Sequence, residues 1–229
     1  MGNYSIQKTA RQVDELYSQR HRIENVRASV AILESEASRG NDYEIQWRLG
    51  RALFFLGQEV GHKESSHSYH SQGIVRCEQA VKADPAKVEG HFWLGVNLAL
   101  LAGCEARLVA IRHALRARRE LQQAIEIDAT YHAAGPLRVL ARLQQKMPRW
   151  LGRGFASART NYEKAISLAP ANTVTRVYFA ELLIELGEQD LARAQLEFVL
   201  GAADDSDWSF EIERDRRIAK EMLSRFAIV

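Results

Sequence analysis

Proline is scarce in this chain, four among 229 residues, and glycine is held to 14. Both residues punctuate turns, so so small a supply excludes a fold rich in loops and tight turns. Cysteine is scarcer still. Cys77 and Cys104 make one conceivable pair, too few for a disulfide framework, and both lie among apolar helix-forming residues where a buried thiol is the plain expectation. Long hydrophobic runs are missing as well. The longest, "FWLGVNLALLAG" (92–103), contains Asn97 and stops after 12 residues, short of the roughly 18 that cross a bilayer. The first residues show no charged, then apolar, then small-residue leader. The expected location therefore divides: cytoplasmic if the chain start is native, periplasmic or membrane-anchored through a lipid if a leader has been removed.

Chemistry is thin too. There is no glycine-rich phosphate loop, no Gly-x-Ser-x-Gly elbow and no cluster with metal-ligand spacing, and the carboxylates are spread along the chain. "GRGFAS" (152–157) is a lone glycine-containing turn before a helix and reads as a connection between helices. The sequence therefore predicts no enzyme and no cofactor.

What is present is helix-forming material. The chain is 46% apolar and 26% charged, ordinary for a globular protein, and Leu, Ala, Glu, Arg and Gln dominate while β-branched runs are short. That balance predicts an all-α fold. Four segments share a small residue, a bulky one four later and a small one three after that. These are Gly73, Cys77 and Ala80; Ala117, Leu121 and Ala124; Ala158, Tyr162 and Ala165; and Ala192, Leu196 and Val199. Pro85 and Pro170 each follow five residues after an alanine of the set, where a helix stops. This is the second-helix half of a tetratricopeptide (TPR) repeat, with a weaker copy at Val30, Glu34 and Ala37. First-helix halves match in "WRLGRALFFLG" (47–57) and "FWLGVNLALLAG", each with the Leu-Gly pair, and Leu140-Ala141 and Phe179-Ala180 fill the same places later. Small residues belong where two helices of a repeat cross closely, and bulky ones fill the space between.

The spacing is longer than the standard repeat in all but one case. Ala37 to Ala80 is 43 residues, Ala80 to Ala124 is 44, Ala124 to Ala165 is 41, and Ala165 to Val199 is 34, the TPR period. The additions fall between the two helices of a hairpin, near residues 58–72, 104–116 and 142–153. The first insertion holds "GHKESSHSYH" (61–70). His62, His67 and His70 there are weak metal candidates, because no i, i+4 pair puts two imidazoles on one helical face and no Cys or Asp completes a set. A solvated helical extension is the preferred reading, and a metal-dependent enzyme built on those three histidines the least favoured.

The same layout carries a family resemblance. "GHFWLGVNLALLAG", the stretch from "AIEIDATYHAAGPLRVLARLQQKMPRW" through "YFAELLIELG", and "RDRRIAKEMLSRF" resemble the T component of bacterial tripartite (TRAP) transporters over residues about 44 to 225. The specific parts are Gly135-Pro136 followed by Arg138-Val139-Leu140, the turn at 148–152, and Arg216 with Arg217 before an apolar tail; Gly152-Arg153-Gly154 departs from the family's usual Gly-Gly followed by an acidic or small residue. "WRLGRALFFLG" and the long insertions are more distantly similar to the regulators of microtubule dynamics. The first resemblance implies a lipid-anchored extracytoplasmic TPR protein that self-associates, binds a periplasmic solute-binding protein and carries a hydrophobic cavity; no lipobox cysteine is present for the anchor.

Counting from Gly50, Gly95 and Ala141, the first-helix positions of a TPR groove are Trp47, Arg51, Phe54 and Phe55; Phe92, Val96 and Leu100; and Arg138, Arg142 and Lys146. Such a groove is apolar at one end and cationic at the other and suits a small hydrophobic anion or an acidic apolar peptide. Packing between repeats is the commoner role for an aromatic stripe at helical spacing. Arg138 stands apart, because a cation in the apolar run "PLRVL" must reach solvent or an anion. Asn97, inside "GVNLALL", reads as a cap on a buried backbone group, and His91 and His113 have no partner visible in the sequence. Charge is uneven: residues 105–160 carry a balance of +7 and the remainder −5. Arg112, Arg116 and Arg119 share one helical face, which suits anionic lipid, an acidic protein or plain solvent, whereas nothing in the pattern recommends nucleic acid.

The expected architecture is thus a right-handed α-α superhelix: one TPR-like domain over 1–229, four to five hairpins, and a capping helix at about 209–226 that covers the last repeat. The expected function is a non-enzymatic adaptor that docks a partner protein, self-associates and holds a hydrophobic anion. A cytoplasmic scaffold binding a peptide segment of its partner is the alternative.

Overall fold

The computed structural model describes residues 2–147 and 154–226, and every regular element among them is a helix. The order is α1 (Gly2–Ser18), α2 (Ile23–Ala37), α3 (Tyr43–Glu59), α4 (Lys63–Ala83), α5 (Val88–Cys104), α6 (Arg107–Asp128), α7 (Tyr131–Lys146), α8 (Phe155–Leu168), α9 (Thr173–Glu185), α10 (Gln189–Leu200) and α11 (Ser209–Phe226). No described helix is long and apolar enough to cross a membrane.

The helices gather into two compact units, residues 1–128 and 129–229. In the first, consecutive helices pair as hairpins, α1 with α2, α3 with α4 and α5 with α6. Neighbouring hairpins join through α2 on α3 and α4 on α5, and the first helices also touch one another, α1 on α3 and α3 on α5. In the second unit α7 pairs with α8 and α9 with α10, α8 meets α9, and α11 lies on both α9 and α10. The packing of α11 covers apolar residues of the preceding hairpin, burying Ile212 and Ala219.

The small–bulky–small triplets are where the helices close. Cys77, Ala80, Ala117, Leu121, Ala124, Ala158, Tyr162, Ala165, Ala192, Leu196 and Val199 are all fully buried. Side chains this small let backbones approach, so the bulky members pack without voids, and truncating one such as Leu121 to Ala costs about 2–5 kcal/mol. The weaker copy in α2 sits one residue off the expected register. Val30 and Ala37 are half-buried and Glu34 is exposed, whereas Ser29 and Leu33 are buried. Ser29 takes the close-crossing place because its hydroxyl donates to the Asn25 carbonyl at 3.0 Å, which satisfies the polar group inside the helix.

The long hairpins are made by long second helices. α4 and α6 have 21 and 22 residues, against 14 and 12 for α8 and α10. "GHKESSHSYH" is therefore mostly the opening turns of α4. The end of the third insertion, the turn at 148–152 and Arg153 lie outside the described residues. α4 ends at Ala83 and α8 at Leu168, each two residues before its proline. Side-chain caps start two other helices: Asp42 accepts from the Glu44 and Ile45 amides before α3, and Asn172 accepts from the Thr175 amide before α9. α7 has an irregular start, with His132, Ala133 and Ala134 in the left-handed region at φ of 51–56° before the helix settles around Gly135 and Pro136.

Candidate functional site

The first-helix face of unit 1 is organised around Asp14 of α1. Its carboxylate accepts from Arg48 (2.8 Å) and from Arg51 (2.6 Å), both on α3. Burial pushes the Asp14 carboxyl up, but the hydrogen bonds and charges of the two arginines outweigh it and hold the group below its ordinary value. Arg48 also bridges to Glu44 at 2.6 Å, and Glu44 in turn receives the Trp47 indole N–H at 3.1 Å and Lys87 of the α4–α5 connection at 3.1 Å. The guanidinium groups lie on rings: Arg48 is 4.2 Å from the Trp47 centroid and Arg51 is 4.0 Å from that of Tyr17. The Arg51 Nε is buried and has no hydrogen-bond partner among the described residues.

Of the positions expected to line a groove here, Trp47, Phe55, Phe92 and Val96 are buried, while Arg51, Phe54 and Leu100 are half-buried. Phe55 meets Tyr17 edge-on at 6.0 Å, Phe92 meets Trp93 at 4.8 Å, and Phe54 leans on Trp93 at 5.3 Å. Most of the aromatic stripe is thus packing within the stack, and Phe54 and Leu100 are the apolar members that keep a solvent-facing side.

Beneath that face, Asn97 ties three helices together. Its Nδ2 donates to the Trp93 carbonyl at 2.9 Å and to the Gly50 carbonyl of α3 at 3.2 Å, and its Oδ1 accepts from Nδ1 of His70 on α4 at 3.3 Å. It caps a buried backbone group, as the sequence suggested. His70 is buried, and this desolvation lowers its basicity despite the bond to Asn97. His67 instead meets Glu105 at 2.9 Å, and His62 is an exposed residue at the start of α4. The three histidines thus have three separate environments, and no group of three His, Cys, Asp or Glu among the described residues can hold a metal ion. His91 has the partner that the sequence hid: Glu120 of α6 at 2.8 Å, with the Pro85 carbonyl at 3.1 Å on its other nitrogen.

In unit 2 the three expected cations differ. Arg142 bridges to Glu181 at 2.6 Å and lies over Tyr178 at 4.4 Å; Lys146 reaches Glu185 at 3.1 Å and Glu181 at 3.6 Å. Both acids belong to α9, so this end carries charge already answered. Arg138 is only 4% exposed and makes its hydrogen bonds to neutral groups: the carbonyl of Ala133 (2.9 Å), Oδ1 of Asn172 (3.3 Å), and the carbonyl and Nδ1 of His132 (3.4 Å each). Burial pulls its guanidinium down to about 10, while the more distant charges of Tyr178, Asp215 and Glu211 pull the other way. By bonding the carbonyls of His132 and Ala133, Arg138 also holds the left-handed turn that opens α7.

Glu44, placed one turn before Arg48, was findable as an i, i+4 pair. Asp14, Glu120, Glu181 and Glu185 were not, because each meets its cation from another helix.

The fold has solved counterparts. A thermophilic TPR protein of Thermus thermophilus superposes with a TM-score of 0.69 at 20% identity, covering 92% of this chain and 98% of that one. MamA superposes with a TM-score of 0.51 at 16% identity, over 87% of this chain and 95% of that one. Likeness at such identities establishes a TPR-like fold. No curated protein matches the chain. A family model does match, over residues 9–137 and so over more than half of the sequence, and the chain belongs to the family described as regulator of microtubule dynamics protein 1-3.

Proposed function

We propose that the chain is a non-enzymatic adaptor that docks a segment of a partner protein along the first-helix face of unit 1. The observation that carries this reading is the pair of incompletely buried apolar side chains on α3 and α5, Phe54 and Leu100, with the half-buried Arg51 guanidinium on the same first-helix face. A partner segment offering apolar side chains and one carbonyl or carboxylate would cover the first and meet the second. The resemblance to the TRAP T component nominates a periplasmic solute-binding protein as that partner, and a cytoplasmic scaffold for a peptide is the alternative. The test is peptide display on the full chain. Selected peptides should bind at least about tenfold more weakly to Phe54→Ser/Leu100→Ser; equal affinity for the variant would refute docking at this face.

A second reading adds a small hydrophobic anion in unit 2. Arg138 favours it, as a buried guanidinium bonded to neutral groups with Trp208 5.8 Å from its centre. An anionic head would bring the charge partner that such burial ordinarily requires.

A further inference from the structure

We propose that the outward pole of α6 is a docking surface for a bilayer containing anionic phospholipid. Within unit 1, α6 packs on α5 through Ala117, Leu121 and Ala124, all fully buried. The opposite pole carries Leu108, Arg112, Leu115 and Arg119, spaced by four, three and four residues and hence in one line along the helix. Leu108 is 78% and Leu115 49% exposed, and Arg112 and Arg119 are exposed beside them. A single open leucine would need no explanation, but two open leucines on one line, interleaved with arginines, make an apolar patch with a charged rim, the pattern of a contact surface.

The charge of the segment names the occupant. From Arg107 to Arg119 there are five arginines, no lysine and no acid. Of the two flanking acids, Glu105 is turned toward His67 at 2.9 Å, and Glu120 is held by His91 at 2.8 Å with its other oxygen 3.7 Å from Arg119. Arg116, off the line, bridges to Glu78 at 2.6 Å, so Arg112 is the pole arginine with no acid paired to it among the described residues. Arginine pairs bidentately with phosphate oxygens, and its long apolar stem lets the guanidinium stay at headgroup level while a neighbouring leucine dips below it. Leucine and arginine alternate along the line, so each apolar side chain has a guanidinium one turn away, an arrangement that suits the phosphate and acyl layers of an anionic bilayer better than an acidic protein, which would offer charge without a matching apolar layer. The surface belongs to the second helix of its hairpin, so the inference is independent of docking at Phe54 and Leu100.

Flotation of the full chain with vesicles tests it. Vesicles of about three parts phosphatidylcholine to one part phosphatidylserine should carry at least about tenfold more protein than phosphatidylcholine alone, with the excess lost as salt is raised. Arg112→Glu/Arg119→Glu should abolish the excess, Leu108→Ser/Leu115→Ser should reduce it, and Arg112→Lys/Arg119→Lys should keep most of it. All four positions are solvent-facing, and circular dichroism checks that each variant retains its helix. Absence of wild-type flotation, equal flotation of a helical charge-reversed variant, or binding to polyglutamate without binding to either vesicle would each overturn the proposal.

Discussion

Gly95 and Gly103 stand eight residues apart on α5 and do opposite things. A methyl group added at Gly95 would come within 2.7 Å of Cγ of Leu121, because α5 and α6 cross there with no room for a side chain. At Gly103 nothing lies within 4 Å. Gly95→Ala should therefore lower stability by about 1–3 kcal/mol through overpacking, while Gly103→Ala should be neutral or raise it by about 0.5 kcal/mol through helix propensity. Urea denaturation of the two variants checks this, and a Gly95→Ala as stable as wild type would mean that the crossing is looser than described. The Leu-Gly pair read from the sequence owes its glycine to this contact. For the aromatic stripe the sequence offered both packing and a groove lining, with packing the commoner role, because periodicity reports which residues share a face and is silent on how closely the next helix covers them.

At the scale of the element, α5 holds α4 and α6 through two histidine contacts of opposite sign. His91 is held above its ordinary value of 6.5 by its bond to Glu120, with burial opposing, and His70 is held below 6.5 by burial, with its bond to Asn97 opposing. A raised histidine contributes stability that is present below 6.5 and lost as pH rises through the folded value. A lowered one contributes stability present above 6.5 and lost as pH falls. The two contributions together place a maximum near pH 6.5. Thermal melts across pH should show His91→Gln losing the decline above 6.5 and His70→Gln losing the histidine part of the decline below it. A His91→Gln that declines like wild type on the alkaline side would show that Glu120 does not hold the imidazolium. Glu120 itself is pushed up by burial, but its bond to His91 and the charges of His91, Arg116 and Arg119 outweigh that and hold it below its ordinary value.

For the whole molecule, the sharpest division is between the two units' polar chemistry. In unit 1 Arg48, Arg51 and Lys87 gather around Asp14 and Glu44, and unit 2 pairs Arg142 and Lys146 with α9 while leaving Arg138 hydrogen-bonded to neutral partners. Native mass spectrometry of the full chain, followed by denaturing release, measures what this arrangement holds. The ligand reading expects an acidic amphiphile bound to a defined oligomer and lost from Arg138→Ala/Arg142→Ala. A bare monomer from the wild type would remove that reading and leave docking of a protein segment. If the double variant unfolds, Arg142→Ala alone tests the paired end without touching the buried guanidinium.

By itself the sequence determined the all-α class, the TPR-like hairpins, and the buried triplets from Gly73 to Val199, because small and bulky residues at helical spacing leave one way to close such helices. It also carried the similarity to the regulators of microtubule dynamics, first visible in "WRLGRALFFLG" and now resting on residues 9–137. Only the tertiary structure decided that Asp14 belongs to Arg48 and Arg51, Glu120 to His91 and Glu181 to Arg142, and that Arg138 has no carboxylate among its hydrogen-bond partners in the described residues. The partners in these ion pairs are 29 to 39 residues apart, far outside the four-residue reach of helical spacing. Which charges meet is set by the rotation of each helix on its neighbour, and that angle comes from packing, which a linear pattern does not contain.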